Sequence, residues 1–563
     1  MDLKIPVGIS DFARIRREGY YYVDKSGLIA ELLSEQSAAV TLLTRPRRFG
    51  KTLAMSMLAH FFDIRKDSEE GRELFCGLEI AKRKEICEKW MNQYPTIFLS
   101  FKDIDGLSYE DAYGQLSAQI AELYRNYTYL LEDRKMDEDD REAFLALKAK
   151  KGDPVLVSRS LAVLMRMLAA YHQKPVVLLL DEYDVPLAKA SSGGYYGQML
   201  HLLRVLMSTA LKDNTSLCFA VITGCLKISK ESIFTGTNNF VSDTISRTRF
   251  HEYFGFTQEE VDGILADARA WNRREKVKEW YDGYHFGACD VYCPWDVMNY
   301  VYDLQAGLAG DQPVSYWKNT SDNAIIRSFI DYAGSAITKK LEILLAGGSI
   351  YQKVDENLTY EELHSSEDNF WSILYLSGYL TRVGEADLAV SAPEGTVALA
   401  IPNAEIREIY RTSILGWFAD TARTWNRKEL FDAVWAGKSQ ELTEIMSRLL
   451  RRTISYHDYK EDFYHAFLAG IFAGAGYVVE SNKEHGEGRS DVVVCDPAQG
   501  RVAVFEVKYS AKAEQMEQDC DRAIRQMDEK MYAEEYEDQY SPEGILCYGI
   551  AFYKKRCLVK KRK

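Results

Sequence analysis

Arg45-Pro46-Arg47-Arg48-Phe49-Gly50-Lys51-Thr52 lies between an apolar run, Val40–Leu43, and a helix-forming stretch, Leu53–Phe62. A strand, a tight loop and a helix N-terminus make a cradle for phosphate, because loop amides face outward and the helix dipole adds partial positive charge. In such a loop Lys51 reaches the outer phosphates of a nucleotide, and the Thr52 hydroxyl holds Mg²⁺. All eight residues form the candidate cofactor-binding loop. One position departs from the usual pattern: Arg45 stands where glycine is expected, and Pro46 with the crowded Arg47-Arg48 implies an altered loop shape. Gly-Lys-Thr alone is a weak signal.

A second element strengthens it. Val176–Leu180 is wholly apolar and ends in Asp181-Glu182. Beside a phosphate cradle, Asp181 is a Mg²⁺ ligand, direct or through water, and Glu182 is the base that polarises an attacking water. The bland alternative is a buried strand ending in a solvated acidic turn. Thr223 closes the next strand-like run, Leu217–Thr223, and is either an ordinary strand end or a sensor of the γ-phosphate. Arg247 and Arg249 are candidates for transition-state arginines, in cis or from a neighbouring subunit.

Around these motifs the first half alternates short β-branched runs (Val40–Leu43, Thr96–Phe101, Val176–Leu180, Leu217–Thr223) with long amphipathic stretches such as Tyr109–Leu131 and Arg159–Tyr171. That alternation predicts an α/β layer with a buried, mostly parallel sheet. Charge-rich Lys135–Asp153 reads as an exposed connection or helix. The texture changes near Phe256, where Thr257-Gln258-Glu259-Glu260 fits a capping box. A mainly helical middle region follows, with strand-like breaks near Gly378–Val383 and Val397–Ile401. After Tyr456 the order becomes helix (Tyr459–Ala473), three strands (Tyr477–Ser481, Asp491–Val494, Val502–Val507), helix (Ala513–Tyr532) and strand (Gly544–Tyr553). The expected division is 1–255, 256–452 and 453–563.

With 563 residues the chain exceeds one ordinary core, and its net charge of −14 argues against a surface coated in nucleic acid while allowing a local basic groove. Ten cysteines without a CxxC pair suggest reduced thiols in the cytoplasm. The opening residues Met1–Pro6 do not read as a signal peptide, and no apolar run suits a membrane span. The expectation is therefore a cytoplasmic protein with no membrane partner, compatible with a homo-oligomer.

The last part holds a second constellation. Asp491 opens a strand-like run, and Glu506-Val507-Lys508 ends the next, fifteen residues on. In a strand Glu506 and Lys508 share a face, and Asp491 on a neighbouring strand can meet them. Two carboxylates and a backbone carbonyl suit Mg²⁺, which would lower the pKa of a bound water near a phosphodiester, with Lys508 orienting that water. Glu461 on the preceding helix is a candidate further carboxylate, and Gln526 on the following helix a candidate contact to the site or to a nucleic-acid backbone. The bland alternative is an Asp491–Lys508 salt bridge on a structural sheet. The basic tail Lys554–Lys563 either attracts phosphate backbones or is a frayed, solubilising end, and Arg448, Arg451 and Arg452 are similarly ambiguous.

Together these stretches resemble a known family. Pro6-Val7-Gly8-Ile9-Ser10-Asp11-Phe12, Tyr22-Val23-Asp24-Lys25-Ser26, the Arg45–Thr52 loop, Leu180-Asp181-Glu182-Tyr183-Asp184, Phe254-Gly255-Phe256-Thr257 and Trp280-Tyr281-Asp282-Gly283-Tyr284 are similar to the predicted AAA-ATPase-like family. An arginine at the first loop position is usual there. The last hundred or so residues resemble the PD-(D/E)xK nuclease superfamily, with Asp491, Glu506 and Lys508 on its metal and catalytic positions and Glu461 and Gln526 on accessory ones. The resemblance implies a P-loop NTPase (AAA-like) sheet, the helical middle region, and a restriction-endonuclease-like α/β domain. It implies ATP and Mg²⁺ as cofactors and nucleic acid as partner, DNA ahead of RNA. The competing expectations are a nucleotide-controlled switch that binds without cutting, and a partner-binding protein with vestigial sites. Trp280–Tyr284 yields no mechanism beyond aromatic packing.

Overall fold

The computed structural model describes residues 3–34, 38–227, 240–308, 310, 312–317, 340–341, 343–358, 366–384, 388, 392–412, 427–453, 464, 468, 472, 478–485, 488–497, 499–531, 534–537, 539–554 and 556–562. They divide into two compact units, 1–316 with 351–403, and 317–350 with 404–563.

Five strands build the sheet of the first unit: β1 (Val40–Thr44), β2 (Thr96–Ser100), β3 (Val176–Asp181), β4 (Leu217–Gly224) and β5 (Phe240–Asp243). Their order is β2-β3-β4-β1-β5, and every pairing is parallel. β1 and β3 are buried along their whole length, as expected of a parallel sheet covered on both faces. The four strands read from the sequence are present to within a residue or two. β5 was not foreseen: its four residues alternate too weakly to stand out, and pairing with β1 is what makes them a strand.

Parallel strands align their carboxyl ends along one edge, so the loops after β1, β3 and β4 share a crevice. Because β4 lies between β1 and β3, Thr223 comes level with Leu43 while Ile222 comes level with Leu180. Helix α1 (Lys51–Phe62) leaves the first loop from Gly50, whose φ of 84° is left-handed and suits glycine. The expected long helices begin in place, but Tyr109–Leu131 ends as helix at Arg125 and continues as a 3₁₀ turn, Thr128–Glu132. Charged Glu138–Lys148 is helical, and Thr257 and Glu260 make the capping box.

Arg45 is the main correction to the loop as read from sequence. Its side chain is fully buried, and its guanidinium donates to Asp243 Oδ1 (2.6 Å), Asp243 O (3.0 Å) and Thr44 O (2.9 Å). It also lies over the rings of Phe254 and Phe286. A guanidinium so committed pins β1 to the end of β5 and does not face a phosphate.

A hairpin of β6 (Tyr284–Phe286) and β7 (Cys289–Val291) also belongs to the first unit, and in the second unit β8 (Val478–His485), β9 (Gly488–Asp496), β10 (Arg501–Tyr509), β11 (Ile545–Tyr553) and β12 (Arg556–Lys561) form one sheet in chain order. Only the β10–β11 pair is parallel, and helix Met516–Glu529 makes that crossover. The helix buries Met516, Cys520, Ala523 and Met527. β12 corrects the reading of the basic tail as a frayed end: Cys557 and Val559 are buried, while Lys560 pairs with Asp521 (2.7 Å) and Glu517 (3.3 Å) and Arg562 with Asp528 (2.6 Å). The alternation of apolar and basic residues is that of an edge strand. Helix Ser439–Thr453 covers this edge, with Ser447 Oγ accepting from Cys557 N and Thr443 Oγ1 from Val559 N. Arg448 faces Glu429, and the side chains of Arg451 and Arg452 lie outside the described residues, as does most of the expected helix Tyr459–Ala473.

Removing the guanidinium while leaving Asp243 buried should destabilise the protein by about 3–5 kcal/mol. Urea unfolding of Arg45→Met should show that loss, and Arg45→Met combined with Asp243→Leu should recover much of it.

Candidate nucleotide and phosphodiester sites

Lys51 Nζ turns back into its own loop, donating to Arg45 O (2.9 Å) and Pro46 O (2.8 Å). One residue on, Thr52 Oγ1 donates to Asp181 Oδ2 at 2.9 Å. The other oxygen of Asp181 accepts from Thr223 Oγ1, and the carboxylate is fully buried. So three residues chosen from three separate segments meet at one point. The Thr52–Asp181 spacing, an ordinary hydrogen-bond length, is also compatible with a cation. Adjacent oxygens of an octahedral Mg²⁺ shell, each 2.0–2.1 Å from the ion, lie about 2.9 Å apart. A hydroxyl and a carboxylate already at that separation fit a hard divalent ion with little rearrangement.

Glu182 follows with φ of 53°, an unfavourable conformation for a side chain larger than glycine and one that recurs at functional sites. Burial pushes its carboxyl above the ordinary 4.5, and nearby Lys51 offsets part of the effect. The next two residues clamp the end of β4. Tyr183 Oη donates to Leu226 O (2.9 Å), and Asp184 Oδ2 accepts from Cys225 N (2.9 Å) and Leu226 N (3.0 Å). Gly224 allows this, since a Cβ there would come within 2.8 Å of both side chains.

The remaining loop residues pack outward against the segments that follow the sheet. Phe49 is buried between Tyr284 and Phe286, with ring centroids 4.9 and 5.0 Å away. Arg48, at φ 72°, places its guanidinium over Trp295 and donates to Tyr316 O. Pro46 is buried, whereas Arg47 is exposed. Of the Trp280–Tyr284 stretch, Tyr284 packs against the loop. Gly283, at φ 93°, sits where a Cβ would be 2.1 Å from Pro402 O. Lys25 is tied to Glu260, the capping-box residue, at 2.7 Å. Arg249 pairs with Glu31 at 2.7 Å, which commits it away from a phosphate of its own subunit. A cavity of about 360 Å³ opens at Gly50, Lys51, Thr52, Lys102 and Glu182.

In the second unit the β9–β10 register pairs Val492 with Phe505, which brings Asp491 level with Glu506. Asp491 Oδ2 accepts from Val507 N (2.7 Å), and Glu506 Oε1 from Lys508 Nζ (2.9 Å). Glu506 is 1% exposed and Asp491 9%. Two buried carboxylates and a lysine thus gather where strand periodicity placed them, and the donor set suits a hard cation. The lysine pairs with Glu506, and Asp491 accepts a backbone N–H from the same strand. Gln526 is half-buried on the crossover helix, and no hydrogen bond among the described residues joins it to the three. Glu461 lies outside the described residues. No group of three or more His, Cys, Asp or Glu suited to a metal occurs among the described residues.

Residues 6–234 match the family described as predicted AAA-ATPase, and residues 459–562 match the PD-(D/E)XK nuclease superfamily. The chain carries an AAA-ATPase-like segment followed by a nuclease-superfamily segment. It is also 26% identical over 561 residues, 98% of this chain and 96% of the other, to an uncharacterized protein in the vnfD 5′ region of Azotobacter chroococcum mcd 1. No helix among the described residues is long and apolar enough to cross a membrane.

Sequence reasoning missed Asp243, the Tyr183–Asp184 clamp and Lys102 in the first unit. Asp243 carries no local signal. Tyr183 and Asp184 were visible only as members of a motif, since their partners lie some forty residues on. Phe49→Ala should cost roughly 3–5 kcal/mol. Hydrogen exchange should then quicken in both the 45–52 loop and the 284–286 strand, because each loses the same packed ring.

Proposed function

We propose that the chain hydrolyses ATP with Mg²⁺ and uses nucleotide state to govern a Mg²⁺-dependent phosphodiesterase acting on nucleic acid, DNA first. The observation that carries this reading is the Thr52–Asp181 contact at 2.9 Å, with Thr223 on the other carboxylate oxygen. In this reading residues 1–255 bind nucleotide, 256–452 connect, and 453–563 cleave, in a cytoplasmic protein open to self-association.

Lys51 exchanges its two loop carbonyls for the outer phosphates, which offer stronger, charged acceptors. Thr52 and Asp181 would hold Mg²⁺, which would offset phosphate charge. Glu182 takes the proton of the attacking water. Thr223 bridges β4 to Asp181, so a change at the phosphates reaches the β4 end that Tyr183 and Asp184 grip. At the second site, Mg²⁺ on Asp491 and Glu506 would supply an activated water. The Val507 amide fixes Asp491, and Lys508 exchanges Glu506 for that water or the scissile phosphate.

Glu182→Gln should retain ATP binding while lowering phosphate release about 10²-fold or more. Lys51→Ala should lose binding itself. A base works ionised, and burial raises the Glu182 carboxyl, so turnover should fall with decreasing pH while still above the ordinary 4.5. A Glu182→Asp variant with an unshifted acidic limb would remove Glu182 from that role. Labelled DNA and RNA, with and without ATP and Mg²⁺, test the second site. Cleavage should require Mg²⁺ and vanish in Asp491→Ala and Lys508→Ala. Nucleic acid bound but intact under every condition would replace cleavage by a binding switch.

A further inference from the structure

The cavity at the P-loop extends well past the phosphate cradle. Beyond Thr52 its walls become apolar: Val7 and Ile9 from the N-terminal stretch, Val23, Met57 on α1, Phe256 and Met298. A volume of about 360 Å³ is within the range of small-ligand sites, and an apolar hollow with a few polar groups is what a nucleotide base requires. Polar side chains line it from several segments, Ser10, Lys25 and Tyr253 among them, and two come from one helix, α2 (Pro294–Gln305).

Trp295 and Asn299 lie one turn apart on α2, so they share a face, and both line the cavity. Trp295 Nε1 has almost no accessible surface and no hydrogen-bond partner, so it meets a ligand only once the ring turns toward the cavity. A buried N–H left unpaired is costly, which favours a ligand that accepts from it. Asn299 Nδ2 donates to Trp295 O at 2.7 Å. That bond anchors the amide nitrogen and leaves the amide oxygen as the group available to a ligand. The Arg48 guanidinium over the Trp295 ring, 5.5 Å from its centroid, fixes this helix turn to the phosphate loop.

We propose that this cavity holds the base and sugar of the nucleotide and that α2 reads an adenine edge. Trp295 Nε1–H donates to a ring nitrogen, and the Asn299 oxygen accepts from the 6-amino group. Guanine carries a carbonyl at that position and would set two acceptors against each other. The proposal rests on the ATP-binding reading, adds the residues that choose the base, and extends nucleotide contact past residue 255 into the region read as connecting. It also gives the Pro6–Ser10 stretch a role, as part of the cavity wall.

Calorimetry on the full chain with Mg²⁺ and ATP, GTP or inorganic tripolyphosphate separates base from phosphate recognition. Wild type should bind ATP about tenfold or more tightly than GTP, and more tightly than tripolyphosphate. Trp295→Phe should weaken ATP about five- to tenfold and leave tripolyphosphate unchanged. Asn299→Ala should narrow the ATP-to-GTP ratio. Unchanged tripolyphosphate affinity also shows that each variant is folded. Equal binding of ATP and tripolyphosphate by wild type overturns the base site and spares the phosphate site. Variants that weaken both ligands alike assign Trp295 and Asn299 to structure, which also overturns it. Wild type binding none of the three overturns the nucleotide reading itself.

Discussion

The buried guanidinium of Arg45 has to find acceptors, and the phosphate loop is arranged around the ones it finds. A charge with no exposure persists only when paired and hydrogen-bonded. Asp243 supplies a carboxylate and a carbonyl, Thr44 a second carbonyl, and Phe254 and Phe286 two ring faces. These partners come from β5, from the segment before the capped helix, and from the β6–β7 hairpin (Tyr284–Phe286, Cys289–Val291). A glycine at position 45 would free the loop but leave Asp243 unpaired. The departure from the usual pattern is therefore the anchor of this version of the loop.

The same logic extends along the loop. Phe49 inserts between Tyr284 and Phe286, and Arg48 covers Trp295. Phosphate would be held by backbone amides and Lys51, while the neighbouring side chains grip the residues that follow the sheet. Movement of the loop on binding nucleotide is thus opposed or accompanied by movement of residues 281–299. This couples two segments some 240 positions apart by direct packing, with no long relay.

Much was legible because it is local. Apolar runs of four to six residues give strands, Thr257 and Glu260 give a cap, and Glu506 and Lys508 must share a face wherever they form a strand. The candidate residues that come together, Thr52 with Asp181 and Asp491 with Glu506 and Lys508, had been chosen for chemistry that demands proximity. Less was legible where the partner is distant. β5 and β12 are strands because a neighbour pairs with them, and the basic tail looked unstructured because its acidic partners lie on another helix.

The sequence by itself determined the element types, the identity of the loop and the two sets of chemical groups, because these depend on period, turn geometry and functional-group identity. Strand order belonged to the tertiary structure. Placing β4 between β1 and β3 lets Thr223 bridge to Asp181, and no local property of Leu217–Gly224 dictates that neighbour. The fate of Arg45 was decided in the same way. Whether an arginine faces a phosphate or a buried carboxylate depends on where Asp243 arrives, nearly two hundred residues later in the chain.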